Sequence, residues 1–256
     1  MTALRYPARL LRLLLVIGLG ALLAAAVALS TRLGTGPRAA RRQRLTRWFH
    51  GRLAAALPFR VTVHGKLPDT PMLWIGNHVS WTDIPLLGQL MPLAFLAKAE
   101  VRRWPLAGWL ALQGGTLFIR RGASDSGQVS GQLAERLRQP GSVMLFPEGT
   151  STDGTAVRTF HGRLLSGAID AGVAIQPVAI RYRRLGETDP IAPFIGDDDL
   201  LSHLRRLLRN EVADVDIFLL APLESQGRSR NELARQAQAA VEHALFGTAE
   251  SLKHAA

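Results

Sequence analysis

The chain has 256 residues, no cysteine and a formal net charge of +11. That length can bury a full core as one domain. The missing cysteines exclude disulfides, cysteine nucleophiles and thiolate metal sites, and the charge calls for an anionic partner, nucleic acid or an anionic bilayer.

Residues 13–29 form a run without charge. As a helix it spans about 25 Å, short for a bilayer but adequate with its flanks. Residues 1–33 are therefore expected to be a transmembrane or membrane-embedded helix. A cleaved signal peptide competes, because Arg5, Arg9 and Arg12 form a basic start and Ala26-Val27-Ala28 an acceptable cleavage site. Arginines are more numerous after the run than before it. The positive-inside rule then puts the following domain in the cytoplasm, on the inner membrane.

Gly34-Thr35-Gly36-Pro37 breaks the chain, and residues 34–58 predict a second helix, from 37 to about 57. Leu45, Trp48, Phe49, Leu53 and Ala56 recur at helical spacing with arginines on the other face. That is the pattern of a basic amphipathic interfacial helix; the competing reading is a helix packed on the domain. Arg38, Arg41, Arg42, Arg44, Arg47 and Arg52 crowd beside the apolar run, which favours membrane over nucleic acid. No zinc-finger spacing, aromatic stripe or nucleic-acid recognition motif accompanies them.

From residue 59 to 246 short apolar runs alternate with helical patterns. Strands are expected at 60–64, 72–76, 94–97, 116–119, 143–146, 174–181 and 215–220. Helices are expected near 83–90, 105–112, 126–138, 162–171, 199–209 and 230–245. The alternation predicts an α/β domain, a mixed, mostly parallel sheet flanked by helices. Residues 247–256 read as a tail. Pro177 within a strand predicts an edge or a bulge.

The segment from Asn77 to Asp83 carries the chemistry. On one continuous helix the five-residue step from His78 to Asp83 turns through roughly 500° and leaves the side chains about 140° apart. If the strand instead ends at Gly76 and a helix begins near Asp83, the turn between them can fold the carboxylate back onto the ring. A carboxylate on one imidazole nitrogen fixes the tautomer and leaves the other nitrogen as a base. The plainer alternative is a loop histidine followed by an Asp helix cap. Phe146-Pro147-Glu148-Gly149-Thr150 follows another apolar run and presents one carboxylate on a tight turn, as a site residue or as the partner of a surface arginine. No Gly-x-Ser-x-Gly elbow occurs, which leaves a serine hydrolase without its nucleophile. The remaining histidines show no metal spacing. Asp197-Asp198-Asp199 reads as a helix cap ahead of Leu200 and not as a metal cluster.

Four blocks in register resemble the glycerophospholipid acyltransferase family, whose best-known members are the 1-acylglycerol-3-phosphate acyltransferases. Asn77, His78 and Asp83 match its N-H-x-x-x-x-D block, and Gly115, Phe118, Ile119 and Arg121 its G-x-x-F-I-x-R block. Phe146 to Thr150 match its F-P-E-G-T-R-S block until Ser151 replaces the arginine; Pro177 matches the fourth. The resemblance covers roughly residues 59 to 222. It implies O-acyl transfer from acyl-CoA or acyl-ACP to a lysolipid hydroxyl, with no cofactor, no metal and no covalent intermediate. His78 and Asp83 would be catalytic. Asn77, Gly115, Arg121, Glu148, Gly149 and Thr150 would bind substrate, with Arg158 reaching back from beyond the polar turn. The default acceptor is 1-acylglycerol 3-phosphate, a membrane lipid. The lost arginine, commonly assigned to the acceptor phosphate, brings in lyso-ornithine lipid as the rival acceptor, with Arg121 and Arg158 as replacement phosphate contacts. A non-catalytic basic membrane or nucleic-acid binding protein is the alternative of another class. The oligomeric state is left open by the sequence.

Overall fold

The computed structural model describes residues 5–36, 39–119 and 126–247. Two helices, α1 (Arg5–Arg32) and α2 (Ala39–Ala56), precede a domain of alternating elements. In chain order these are β1 (Phe59–His64), β2 (Leu73–Gly76), α3 (Asp83–Gly88), β3 (Leu93–Lys98), α4 (Ala107–Gln113) and β4 (Leu117–Ile119). They continue with α5 (Ser126–Arg138), β5 (Ser142–Leu145), α6 (Ser166–Ala171), β6 (Ile175–Arg184), β7 (Glu187–Thr188), α7 (Leu200–Arg209), β8 (Ala213–Leu219) and α8 (Arg230–Phe246).

Among the described residues one sheet runs in the order β1-β8-β6-β2-β5-β3-β4, with β7 beside β6. Only the β6–β8 and β6–β7 pairs are antiparallel, so the sheet is mixed and mostly parallel, as expected. The central strands are buried on both faces, which is why they read as continuous apolar runs. Strand periodicity sends Leu73, Ile75, Val143 and Leu145 into one core with residues of α5, α6 and α8. It sends Trp74 and Met144 to the opposite face, with Leu86 and Leu87 of α3 and Ala54 of α2. Ser229 caps α8 by accepting from Glu232 N, and Asp199 caps α7 by accepting from Leu201 N and Ser202 N.

Pro177 lies on β6, an interior strand, so the edge expectation fails and the bulge expectation holds. From Ile175 to Val178 β6 advances three residues while its neighbour advances four, from Leu219 to Leu223. The extra residue is a bulge beside the proline, and the Gln176 side-chain amide donates to Leu220 O there. The β6–β7 hairpin was not expected. Its turn residues Leu185 and Gly186 take φ of 54° and 89° without the usual Asn-Gly signal.

The N-terminal helices form an antiparallel hairpin on the domain. Gly20 of α1 meets the Phe49 ring of α2, where a Cβ would have no room. Tyr6, Leu10 and Leu13 pack with Leu53, Ala56, Leu204 and Leu208. Arg5 pairs with Glu211, and Arg9 Nη1 donates to Leu208 O at 3.0 Å and Asn210 O at 2.6 Å. Of the two readings of α2, packing on the domain holds for part of the helix. One face is docked, with His50 stacked on Phe95 and Ala54 and Ala56 buried. The other exposes Arg41, Arg44, Trp48 and Arg52, the last two in cation–π contact at 5.5 Å. α1 leaves Leu11, Leu15, Leu22 and Leu29 exposed along its outer face.

Candidate active site

The site gathers at the carboxyl ends of β2 and β5, where open α/β sheets place ligands. β2 ends at Gly76, whose absent side chain admits Val178 O; a Cβ there would sit 2.3 Å from that oxygen. Asn77 follows, 2 % exposed, and its amide bonds both Ile180 O and Ile180 N at 2.9 Å. That clamp fixes the strand end with both polar atoms of a buried side chain, a structural role in place of the substrate-binding one expected of Asn77.

The turn from His78 to Thr82 then folds Asp83 back. His78 Nδ1 and Asp83 Oδ2 are 2.8 Å apart, with the histidine side chain 21 % exposed and the aspartate fully buried. The same oxygen accepts from Val79 N at 2.8 Å and Ser80 N at 3.1 Å, and the Tyr182 hydroxyl donates to Oδ1. Donors therefore surround the carboxylate. This network assigns the Nδ1–H tautomer to His78 and leaves Nε2 as an acceptor. Asp83 opens α3 without acting as an ordinary cap. Phe146 stacks on the imidazole, centroids 4.0 Å apart and planes at 13°, which sets the ring plane.

Gly149, at a φ of 72°, donates its N–H to Phe146 O and closes the turn after β5. The turn carries Glu148 under the histidine backbone. Glu148 Oε1 accepts from His78 N at 3.0 Å and Oε2 from Arg158 N at 3.4 Å. Burial pushes its carboxyl up to about 7, against the opposing pull of those two backbone donors. Glu148 is thus tied into the site and not to a surface arginine. Thr150 continues the turn half-buried. Thr152 bonds His78 O through its N–H at 2.8 Å and its hydroxyl at 3.2 Å. An open groove of about 280 Å³ adjoins, lined by Ser151, Thr152, Asp153, Ala156, Arg158 and Ile195.

The structure thus brings His78, Asp83, Glu148 and Arg158 together. It does not bring in Gly115, which turns the chain between α4 and β4 at a φ of 84°. By strand register Gly115 is level with the start of β2, on the far edge of the sheet. Arg121 lies outside the described residues. Asp198 pairs with Arg206 and Asp199 caps α7, so both have the helix-end roles expected of that acidic run.

Three supporting residues escaped the sequence reading. Tyr182 stood beyond the expected strand end at 181; its hydroxyl also meets Thr82 Oγ1 at 2.9 Å, and burial beside Asp83 raises it far above the usual phenol range, so it stays a donor. His203 accepts from Trp81 Nε1 at 2.9 Å and so anchors the catalytic turn. Burial lowers His203 and favours the neutral ring this bond needs. Thr152 belonged to the departure from the third block, where no match drew notice.

Residues 60–181 match the acyltransferase family model, a span holding His78, Asp83, Glu148 and Arg158. With the fold and the long match below, the chain belongs to the acyltransferase family and is an acyltransferase. It is 61% identical over 249 residues to the lyso-ornithine lipid O-acyltransferase of Pseudomonas aeruginosa, covering 97% of this chain and 96% of that one. It is 33% identical over 227 residues to the protein of the same name from Brucella abortus, covering 80% of this chain and 85% of that one. The crystal structure of the 1-acyl-sn-glycerophosphate acyltransferase from Thermotoga maritima shares the fold, with a TM-score of 0.62 at 22% identity over 96% of this chain and 98% of that one.

Proposed function

We propose that the protein transfers a fatty acyl group from acyl-CoA or acyl-ACP to the free hydroxyl of lyso-ornithine lipid. The observation that carries this is the 61% identity to a lyso-ornithine lipid acyltransferase along nearly the whole of both chains. It reverses the order expected from sequence, which put 1-acylglycerol 3-phosphate first. The altered third block supports the reversal: Ser151 stands where a phosphate-binding arginine was expected, its hydroxyl turned to Phe194 O, and Asp153 lines the adjoining groove.

In this reading His78 Nε2 takes the proton of the acceptor hydroxyl as its oxygen attacks the thioester carbon. The C–S bond breaks, the thiolate leaves with a proton from the imidazolium, and an ester forms. Asp83 holds the ring and stabilises its positive charge. Deleting the gene and analysing cellular lipids tests the acceptor. Lyso-ornithine lipid should accumulate and ornithine lipid disappear. Unchanged ornithine lipid with falling glycerophospholipids would move the assignment to 1-acylglycerol 3-phosphate.

The membrane reading is that the hairpin lies in one leaflet with the domain on the cytoplasmic face. A simple crossing would carry the start of α1 about 40 Å from its end, away from the domain that Arg5 and Arg9 grip. The exposed leucines of α1 and the Arg-Trp stripe of α2 suit acyl chains and anionic headgroups. High salt should leave the protein in the membrane pellet, since apolar burial is not screened; complete release would contradict insertion.

A further inference from the structure

The groove beside His78 holds one side chain of each sign, Asp153 and Arg158, among the neutral Ser151, Thr152, Ala156 and Ile195. The two charges do not form an ion pair. Asp153 is held in place by Thr155, whose N–H and hydroxyl donate to Oδ1 at 3.0 Å and 2.7 Å. These bonds keep its carboxyl below the usual range, and Oδ2 has no hydrogen-bond partner among the described residues. Arg158 is held through its backbone on Glu148, while its guanidinium makes no ion pair or hydrogen bond among the described residues. The stretch just ahead of Asp153 is bolted to the catalytic turn through Thr152 on His78 O and Ser151 on Phe194 O, and Phe194 N in turn bonds Val79 O at 2.9 Å. An anchored carboxylate and an unpaired guanidinium on a tethered backbone, both exposed to the groove, suit a ligand bearing both signs. They suit a phosphate monoester poorly, because it offers Asp153 only negative charge.

We propose that Asp153 and Arg158 are the acceptor-specificity residues, Asp153 taking the ammonium of an ornithine headgroup and Arg158 its carboxylate. This rests on the lyso-ornithine lipid reading above. Linking ornithine through its α-amine leaves those two groups free, a few bonds from the acceptor hydroxyl, so a headgroup in the groove sets that hydroxyl near His78. Planar two-point recognition of a carboxylate is a guanidinium property.

The test uses purified full-length protein in mixed micelles with three acceptors. They are lyso-ornithine lipid, the same lipid acetylated on its side-chain amine, and 1-acylglycerol 3-phosphate. A charged hydrogen bond sets the expected scale at about ten-fold or more in KM. The wild type should show that penalty for the acetylated lipid. Asp153→Asn, which retains an oxygen for Thr155, should raise KM for lyso-ornithine lipid by as much and no longer distinguish it from the acetylated form. Arg158→Gln should raise KM for both ornithine acceptors. A wild type that uses lyso-ornithine lipid, with both variants matching it on every acceptor, would overturn the clamp and leave the function standing. A wild type that rejects both ornithine acceptors and uses 1-acylglycerol 3-phosphate would overturn the function itself.

Discussion

Asp83→Asn isolates the charge of the dyad from its shape. The amide oxygen can occupy the Oδ2 position and still accept from His78 Nδ1, Val79 N and Ser80 N. The amide nitrogen then faces the Tyr182 hydroxyl, which can turn to accept because it also meets Thr82 Oγ1. Packing and tautomer survive, but the negative charge 2.8 Å from the ring is lost. At an effective dielectric of about 20, unit charges at that separation attract by roughly 6 kcal/mol. The backbone donors around the carboxylate already absorb part of that. The same replacement in a serine-protease triad, where the tautomer is lost as well, costs about 10⁴ in kcat, or ~5 kcal/mol, which sets the upper end here. Asp83→Asn should therefore lower kcat between about 10³- and 10⁴-fold and change Tm by only a few degrees. The assay is the initial rate of labelled acyl transfer to lysolipid by purified protein, with a thermal melt on the same sample. A folded variant within ten-fold of wild-type kcat would refute the role given to Asp83.

His78→Ala should cost at least about 10²-fold in kcat with the fold intact, because it removes the base; near-normal turnover would sink the mechanism. Tyr182→Phe withdraws one donor from the buried Asp83 and strands Thr82 Oγ1. Urea unfolding should show a loss of about 1.5–3 kcal/mol, and an unchanged midpoint would argue against the buttress. Glu148 in the folded protein holds its proton up to about pH 7, above its ordinary value of 4.5. Its ionisation therefore costs stability progressively as pH rises between those values, by up to ~3 kcal/mol. Glu148→Gln should gain on wild type between pH 4.5 and 8, and a stability difference independent of pH would remove the buried-acid account.

The sheet was legible because β2, β5 and β6 are buried on both faces and so leave unbroken apolar runs between turn residues. The His78–Asp83 contact was legible as one of two local readings, because a strand end and a helix start bracketed it; the other was a plain Asp helix cap. The buttress was not. Tyr182 reaches Asp83 across 99 residues of chain, and no periodicity on β6 distinguishes it from any other inward-facing aromatic. Asn77 misled for a related reason: a block residue beside a catalytic histidine reads as substrate-binding, while its partner, the Ile180 backbone, exists only once β6 lies beside β2. The lie of α1 was equally hidden, since hydropathy measures length and apolarity and is silent on Arg5 gripping Glu211.

The central claim is acyl transfer to an ornithine lipid at His78. A single reaction containing purified protein, one acyl donor and equal amounts of lyso-ornithine lipid and 1-acylglycerol 3-phosphate tests it, with the products resolved by mass spectrometry. The product ratio gives the ratio of kcat/KM without separate saturation curves. Ornithine lipid should dominate by about ten-fold or more, and His78→Ala should abolish both products. Predominant phosphatidic acid, or undiminished product from the His78→Ala protein, would contradict it.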